Sequence, residues 1–105
     1  MSQMENKRLE LHAILVDILG STNVYFQPPE SIKMRYPAIV YGRDGINDTS
    51  ANNDIYNRRT MYQITVIDTD PDSEFVEKVA NLPYCSFSRH FNTNDLNHDI
   101  FRLYF

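Results

Sequence analysis

Hydrophobic and polar residues alternate along this chain with two different periods, and each period predicts a different kind of element. A helical period covers residues 4–19 and ends at Gly20, which takes a left-handed conformation without steric cost. A second helix is predicted from Asp70 to about Asn81, because an aspartate followed by a proline suits a helix start. The apolar positions of the first helix are Leu11, Ile14, Leu15, Ile18 and Leu19, on a line that Met4 and Arg8 extend.

A period of two residues predicts β-strands over residues 23–27, 38–43, 58–68, 85–92 and 99–105. Ile67 is expected on the half-exposed face of the third strand. The core face of that strand is expected to carry Tyr62, Ile64 and Val66, and one face of the fourth strand Cys85, Phe87 and Phe91. The order α-β-β-β-α-β-β predicts an α+β two-layer sandwich, in which two helices cover a mostly antiparallel sheet.

A long polar loop is predicted at about residues 43–58, between the second and third strands. A run of about 14 residues is far longer than a hairpin needs, and loops of that length are usually functional or disordered. We interpret it as an arm on a single domain, residues 1–105, that contacts another protein. The residues expected to make this contact are Arg43, Ile46, Ile55, Tyr56, Arg58 and Arg59.

The charge balance and the cysteine count restrict the function further. The net charge is −4 and the isoelectric point is about 5.2, which argues against sequence-specific binding of nucleic acid. Cys85 is the single cysteine, so a disulfide within the chain is impossible. No apolar run approaches the roughly 18 residues of a membrane span, and no signal peptide precedes the first charges, so we expect folding in the cytoplasm.

The candidate catalytic and metal-binding residues form no complete motif. His90, Asp95, His98 and Asp99 carry ligand atoms for a divalent ion, but their spacing matches no closed site, and a turn rich in Asn and Asp explains them equally. Cys85 lies in an alternating apolar pattern, where a thiol acts as a small hydrophobic group. His12 lies within the first helix beside Leu11, and we expect it at the boundary between core and solvent rather than as a ligand. We therefore predict no catalytic residue, no metal and no cofactor.

The ordered segments of the chain resemble a family of small bacteriophage proteins known as tail completion, tail terminator or head–tail joining proteins. The resemblance covers roughly residues 9–105 and includes VYFQPPESIKMRYPAIVY, in which Pro28, Pro29, Tyr36 and Pro37 match. The further matching segments are the first helix (Leu9 to Gly20), Asn53-Asp54-Ile55-Tyr56, MYQITVIDTDPDS, LPYCSFSR and LNHDIFRLYF.

The resemblance implies an α+β domain that caps the tail tube in the virion, often as a hexameric ring, and joins it to the head connector. Its partners would be further copies of itself, the tail tube protein and the connector protein. Two alternatives remain open. One is a soluble binding module that inhibits a host or phage enzyme, and the other is a small hydrolase or nuclease that uses His90, Asp95 and His98.

Overall fold

A computed structural model of the chain describes residues 2–47 and 59–105. The predicted α+β class and the predicted order of elements are confirmed within these residues. The elements are α1 (Gln3–Leu19), β1 (Val24–Phe26), β2 (Ala38–Asn47), β3 (Arg59–Asp68), α2 (Glu74–Ala80), β4 (Cys85–Thr93) and β5 (Leu96–Tyr104).

The strands form one sheet in the order β1-β2-β3-β5-β4. β1 pairs with β2 in parallel, and every other pair is antiparallel. Both helices pack against the same face, and the core lies between them and the sheet. The predicted core faces of α1 and β3 are confirmed. The core residues are Leu11, Leu15, Leu19, Val24, Ile39, Tyr41, Tyr62, Ile64, Val66, Val79, Phe101 and Leu103.

Both ends of α1 carry the caps that their sequence suggests. The Ser2 hydroxyl accepts a hydrogen bond of 3.0 Å from the Glu5 N–H, which satisfies one of the free donors of the first turn. Gly20 adopts a φ of +73°, and its N–H donates to the Val16 carbonyl at 2.8 Å. Burial of a leucine such as Leu15 stabilises the fold by about 1.5–3 kcal/mol, so packing outweighs either cap.

The second helix begins later than the sequence pattern predicts. Its N-cap is Ser73, whose hydroxyl accepts from the Phe75 N–H at 3.3 Å. Asp70, the predicted N-cap, instead accepts a hydrogen bond of 2.9 Å from the Asp72 N–H. Short polar side chains readily bond the backbone two residues ahead, and this turn delays the helix until Glu74.

A bulge divides β4 into two parts that expose opposite faces. Phe87 lies opposite Phe101, but the next pair joins Arg89 to Ile100, so that Ser88 is an extra residue. An extra residue reverses the alternation of side chains. Phe91 therefore lies on the face away from the helices, and the prediction that it shares a face with Phe87 is wrong.

Other strand boundaries also differ from the predicted ones. β2 continues to Asn47 instead of ending at Arg43, because pairing with β3 resumes after a register shift at this point. The β4–β5 turn is also tighter than predicted, since it contains only Asn94 and Asp95, both with positive φ. Ile67 is buried rather than half exposed, and it lies between Ala38 of β2 and His98 of β5.

Candidate interaction surfaces

The described residues among the predicted contacts lie at one end of the sheet, where β2 ends and β3 begins. Arg43 and Arg59 lie there on neighbouring strands, but they line different cavities beside α1. Ile46 pairs with Thr60 in the β2–β3 ladder. The predicted contacts that lie outside the described residues are Ile55, Tyr56 and Arg58. We call this end, which carries Lys7, Arg8, Arg43 and Arg59, the basic end.

The first cavity, which we call the basic pocket, opens at the start of α1 and has a volume of about 350 Å³. It combines two guanidinium groups with polar and aromatic side chains, and one carboxylate also lines it. Its lining residues are Ser2, Met4, Glu5, Arg8, Phe26, Gln27, Arg43 and Tyr62.

Packing, rather than pairing with carboxylates, positions the two arginines of the basic pocket. The guanidinium carbon of Arg8 lies 4.3 Å from the centroid of the Phe26 ring. Nη1 of Arg43 lies 3.1 Å from Sδ of Met4, and the backbone N–H of Arg43 donates to the Gln27 side-chain carbonyl at 3.1 Å. Within residues 2–47 and 59–105, neither arginine forms an ion pair. The pocket therefore presents positive charge to whatever enters it.

The phenols and the histidine beside the pocket respond to this charge. Burial raises the pKa of Tyr62, and the charges of Arg8 and Arg43 oppose that shift. Burial also raises the pKa of Tyr41, whose hydroxyl lies 2.7 Å from Nδ1 of His12. Burial and the neighbouring charge of Arg8 lower the pKa of His12. His12 is thus a neutral, partly buried partner of Tyr41 and not a free ligand.

A second cavity, which we call the apolar cleft, lies between α1, the α2–β4 connection and the end of β5, with a volume of about 260 Å³. Tyr84 at its mouth is 65% exposed and has a φ of +59°, although tyrosine rarely adopts left-handed backbone. The guanidinium carbon of Arg59 lies 4.3 Å from the Tyr84 ring centroid. The lining residues are Lys7, Glu10, Leu11, Ile14, Arg59, Leu82, Pro83, Tyr84, Leu103, Tyr104 and Phe105.

The outer edge of β4 is a third exposed feature. β4 ends the sheet order, and no described strand pairs with its outer side. Every residue of the strand after Cys85 is exposed. Phe87 is 56% exposed and meets Phe101 edge-on, whereas Phe91 stacks on His98 at 4.5 Å on the other face. The strand thus presents a free backbone edge together with aromatic side chains.

The sheet separates the residues that suggested a metal site. Nδ1 of His90 lies 2.8 Å from Oδ1 of Asp99, on the same face as the helices. His98 lies on the opposite face, where its Nδ1 is 3.2 Å from the Leu96 carbonyl oxygen. Asp95 occupies the hairpin turn. Among the described residues, no group of three or more potential ligands is arranged to hold a metal ion.

Cys85 has the surroundings of a structural thiol. It lies on the core side of β4, opposite Leu103, and is half-buried. Burial raises its pKa, which reduces the fraction of reactive thiolate. A raised pKa is the opposite of what activates a cysteine nucleophile.

The sequence pattern missed several residues of these surfaces. Among them, Arg8 was the residue that the sequence indicated most clearly, since it continues the apolar line of α1. A cation on such a line must extend its charged group to solvent or pair it with a ligand. Phe26 and Tyr62 were treated only as strand residues, because no local pattern shows that they meet α1. Tyr84 gave no signal, since its conformation depends on the tertiary structure.

Comparison of the chain with protein-family models, with curated proteins and with solved structures found no match. The resemblance to bacteriophage tail proteins therefore stays a prediction. In the part of the chain that the structure describes, no helix is both long enough and apolar enough to cross a bilayer.

Proposed function

We propose that this protein is a bacteriophage virion assembly protein that caps the tail tube and joins the tail to the head connector. In this proposal several copies form a ring at the head–tail junction of the virion. The protein performs no chemical step, and its contacts are with other copies, with the tube protein and with the connector protein.

The observation that carries the proposal is the open outer edge of β4. Natural sheets usually shorten, charge or cover their edge strands, because an unpaired edge recruits other strands. β4 is nine residues long and exposed on both faces, and it displays Phe87 and Phe91. The bulge at Ser88 and the charge of Arg89 only partly protect it. Such an edge suits main-chain pairing with a strand of the tube or connector protein.

The number of separate surfaces also supports a subunit with several neighbours. The basic pocket, the apolar cleft and the β4 edge share no residue, although α1 and β3 contribute to both cavities. A stoichiometric inhibitor needs one complementary surface, whereas a ring subunit must contact a copy on each side as well as the tube. The alternative of a small inhibitor would use the acidic surface and the polar loop in a stoichiometric complex, and it needs no further surfaces.

The decisive experiment is deletion of the gene in the phage or prophage that encodes it, followed by electron microscopy of the particles. We expect overlong tails, or full heads separate from finished tails. Complementation with the wild-type gene must restore joined particles. Normal infectious particles after deletion would refute the proposal and favour the inhibitor.

Complementation with point variants then tests the β4 edge. Phe87→Lys places a charge on the edge strand, and we expect the protein to fold but to restore few joined particles. Leu9→Lys is the matched control, because Leu9 is an exposed apolar residue on α1. Circular dichroism of both purified variants verifies folding. Equal complementation by the two variants would exclude a role for the edge.

A further inference from the structure

The described charges are distributed unevenly along the sheet. Among the described residues, the carboxylates near the cations of the basic end in the chain are those of Glu5, Glu10 and Asp44. The opposite end of β3 and β5, residues 67–74 and 92–99, contains no lysine or arginine. We call it the acidic end. Its carboxylates are Asp68, Asp70, Asp72, Glu74, Asp95 and Asp99.

One segment of the acidic end, residues 70–74, is held rigidly and exposes its carboxylates. The Asp70 N–H donates to Asp68 at 3.1 Å, and the Asp72 N–H donates to Asp70 at 2.9 Å. These bonds fix the backbone without using the side chains of Asp72 and Glu74, both of which are exposed. Neither forms an ion pair within the described residues. A segment ordered in advance loses little conformational entropy when it binds.

The chain cannot bring this segment into its own basic pocket. β3 runs from Arg59 at the basic end to Asp68 at the acidic end, and its ten residues span about 30 Å at the usual rise of a strand. The two features therefore face opposite directions on a rigid sheet. They can meet only between two molecules.

We propose that the basic pocket of one copy binds residues 70–74 of the next copy, with the Asp72 and Glu74 carboxylates paired to the Arg8 and Arg43 guanidinium groups. This contact deepens the proposed function, since it names the surfaces that join neighbouring subunits of the ring. The contact is head-to-tail, so each copy uses both ends, and repetition closes a ring when the rotation between copies allows it.

The physical argument rests on charge complementarity and on space. A guanidinium group matches a carboxylate in both geometry and charge. Two guanidinium groups, those of Arg8 and Arg43, line the basic pocket. A volume of about 350 Å³ leaves room for a carboxylate side chain and bridging water. Glu5 also lines the pocket and repels an entering carboxylate, but the two arginines outnumber it.

The test uses two charge-reversed variants of the full chain, each with one altered surface. Arg8→Glu/Arg43→Glu reverses the pocket, and Asp72→Lys/Glu74→Lys reverses the segment. Sedimentation velocity and size-exclusion chromatography with light scattering measure association. Each variant alone should lose at least about tenfold in association constant relative to wild type. An equimolar mixture should form mixed oligomers in which the two variants alternate, because the wild-type pocket of one matches the wild-type segment of the other, and the reversed pocket matches the reversed segment.

The variant with all four substitutions is the control for folding and for specificity. Its pocket and segment are both reversed, so we expect it to regain association between its own copies. Failure of this rescue in a variant that folds by circular dichroism would overturn the proposal. Wild-type chains that stay monomeric by both methods would also overturn it, as would a mixture that forms no mixed oligomers.

Further outcomes separate this contact from the proposed function. If copies associate as described but gene deletion leaves normal particles, the contact stands and the tail role falls. If deletion disrupts tails but charge reversal changes neither association nor complementation, the tail role stands and the contact falls. If the pocket reversal abolishes binding of a DNA fragment and leaves association unchanged, the pocket serves phosphate groups and the proposal is wrong.

Discussion

At both ends of the sheet the chain passes through left-handed backbone, but the residues that adopt it differ. At the acidic end these residues are Asn94 and Asp95, which tolerate a positive φ better than most. At the basic end they are Gln27 and Tyr84, which gain nothing locally from this conformation. Strained backbone of this kind persists where the surrounding structure enforces it, and it clusters at binding sites.

The two ends differ in the same way in their hydrogen bonding. At the acidic end the buried Asn97 amide donates to the carbonyls of Asp68 and Thr69 and accepts from Asn92. At the basic end the guanidinium groups of Arg8 and Arg43 are held by an aromatic ring and a thioether. The acidic end thus satisfies its buried polar groups internally, whereas the basic end is organised around charges that an external group would complete.

The largest effect is expected from Leu103→Ala, because apolar packing forms the framework of the basic end. Leu103 is fully buried and contributes to the apolar cleft. We expect the free energy of unfolding in urea to fall by about 2–5 kcal/mol. Leu9→Ala, at an exposed position, should change it by less than about 1 kcal/mol. Similar changes in unfolding free energy for both variants would show that Leu103 is not tightly packed beneath the cleft.

Asn97→Ala tests whether the acidic end depends on hydrogen bonds instead. The substitution leaves the carbonyls of Asp68 and Thr69 without their side-chain donor. We expect a loss of about 1–3 kcal/mol by urea denaturation. Asn6→Ala is the matched control, since Asn6 is exposed on α1 and lies outside this network, and it should change stability by less than about 0.5 kcal/mol. A neutral Asn97→Ala would remove the contrast between the two ends.

Tyr84→Asn tests the strain at the basic end. Asparagine tolerates left-handed backbone better than tyrosine, so we expect stability to rise by about 0.5–1 kcal/mol although the Arg59 contact is lost. Asn94→Tyr at the acidic end is the mirror experiment and should lower stability by a similar amount. Thermal unfolding of the two variants measures both signs. If Tyr84→Asn destabilises the protein, the tyrosine serves stability and not binding.

The smallest effect is expected in the pH dependence of the stability that His12 contributes. His12 lies near the cation Arg8, whereas His90 lies 2.8 Å from the carboxylate of Asp99. The native pKa of His12 lies below its ordinary value, so the unfolded chain binds the proton first as pH falls. The contribution of His12 to stability is therefore complete above about pH 6.5 and is lost as pH falls below that value. The difference in unfolding free energy between wild type and His12→Gln should shrink over this range. A difference that grows as pH falls would contradict the assigned direction.

The spacing of apolar residues along the chain was sufficient to predict the order of elements, because these residues recur at different intervals in helices and in strands. The spacing failed where one residue changes a local geometry. CSFSRHF spaces Cys85, Phe87 and Phe91 by even numbers of residues, and only pairing with β5 shows that Ser88 is extra. Three potential capping residues precede α2, and their local hydrogen bonds, not their identities, select Ser73.

The surfaces were less predictable than the fold, because each is built from distant segments. The basic pocket joins Arg8 of α1 to Phe26 of β1 and Arg43 of β2, and no spacing rule connects them. Arg43 and Arg59 were selected from the sequence because they flank the polar loop, and the structure places each in a cavity. The assignment of a phage role has a different basis, the resemblance of ordered segments, and remains a proposal.

The insertion of β5 between β3 and β4 has a consequence for the time course of folding. The β4–β5 hairpin closes through a two-residue turn, and such hairpins form within about 1–10 μs. The β3–β5 pairing closes a much longer stretch of chain, which is slower. During synthesis, β1, β2 and β3 leave the ribosome first, with the apolar edge of β3 unpaired. Until the hairpin arrives, that edge is the segment of the nascent chain most exposed to aggregation and most in need of a chaperone.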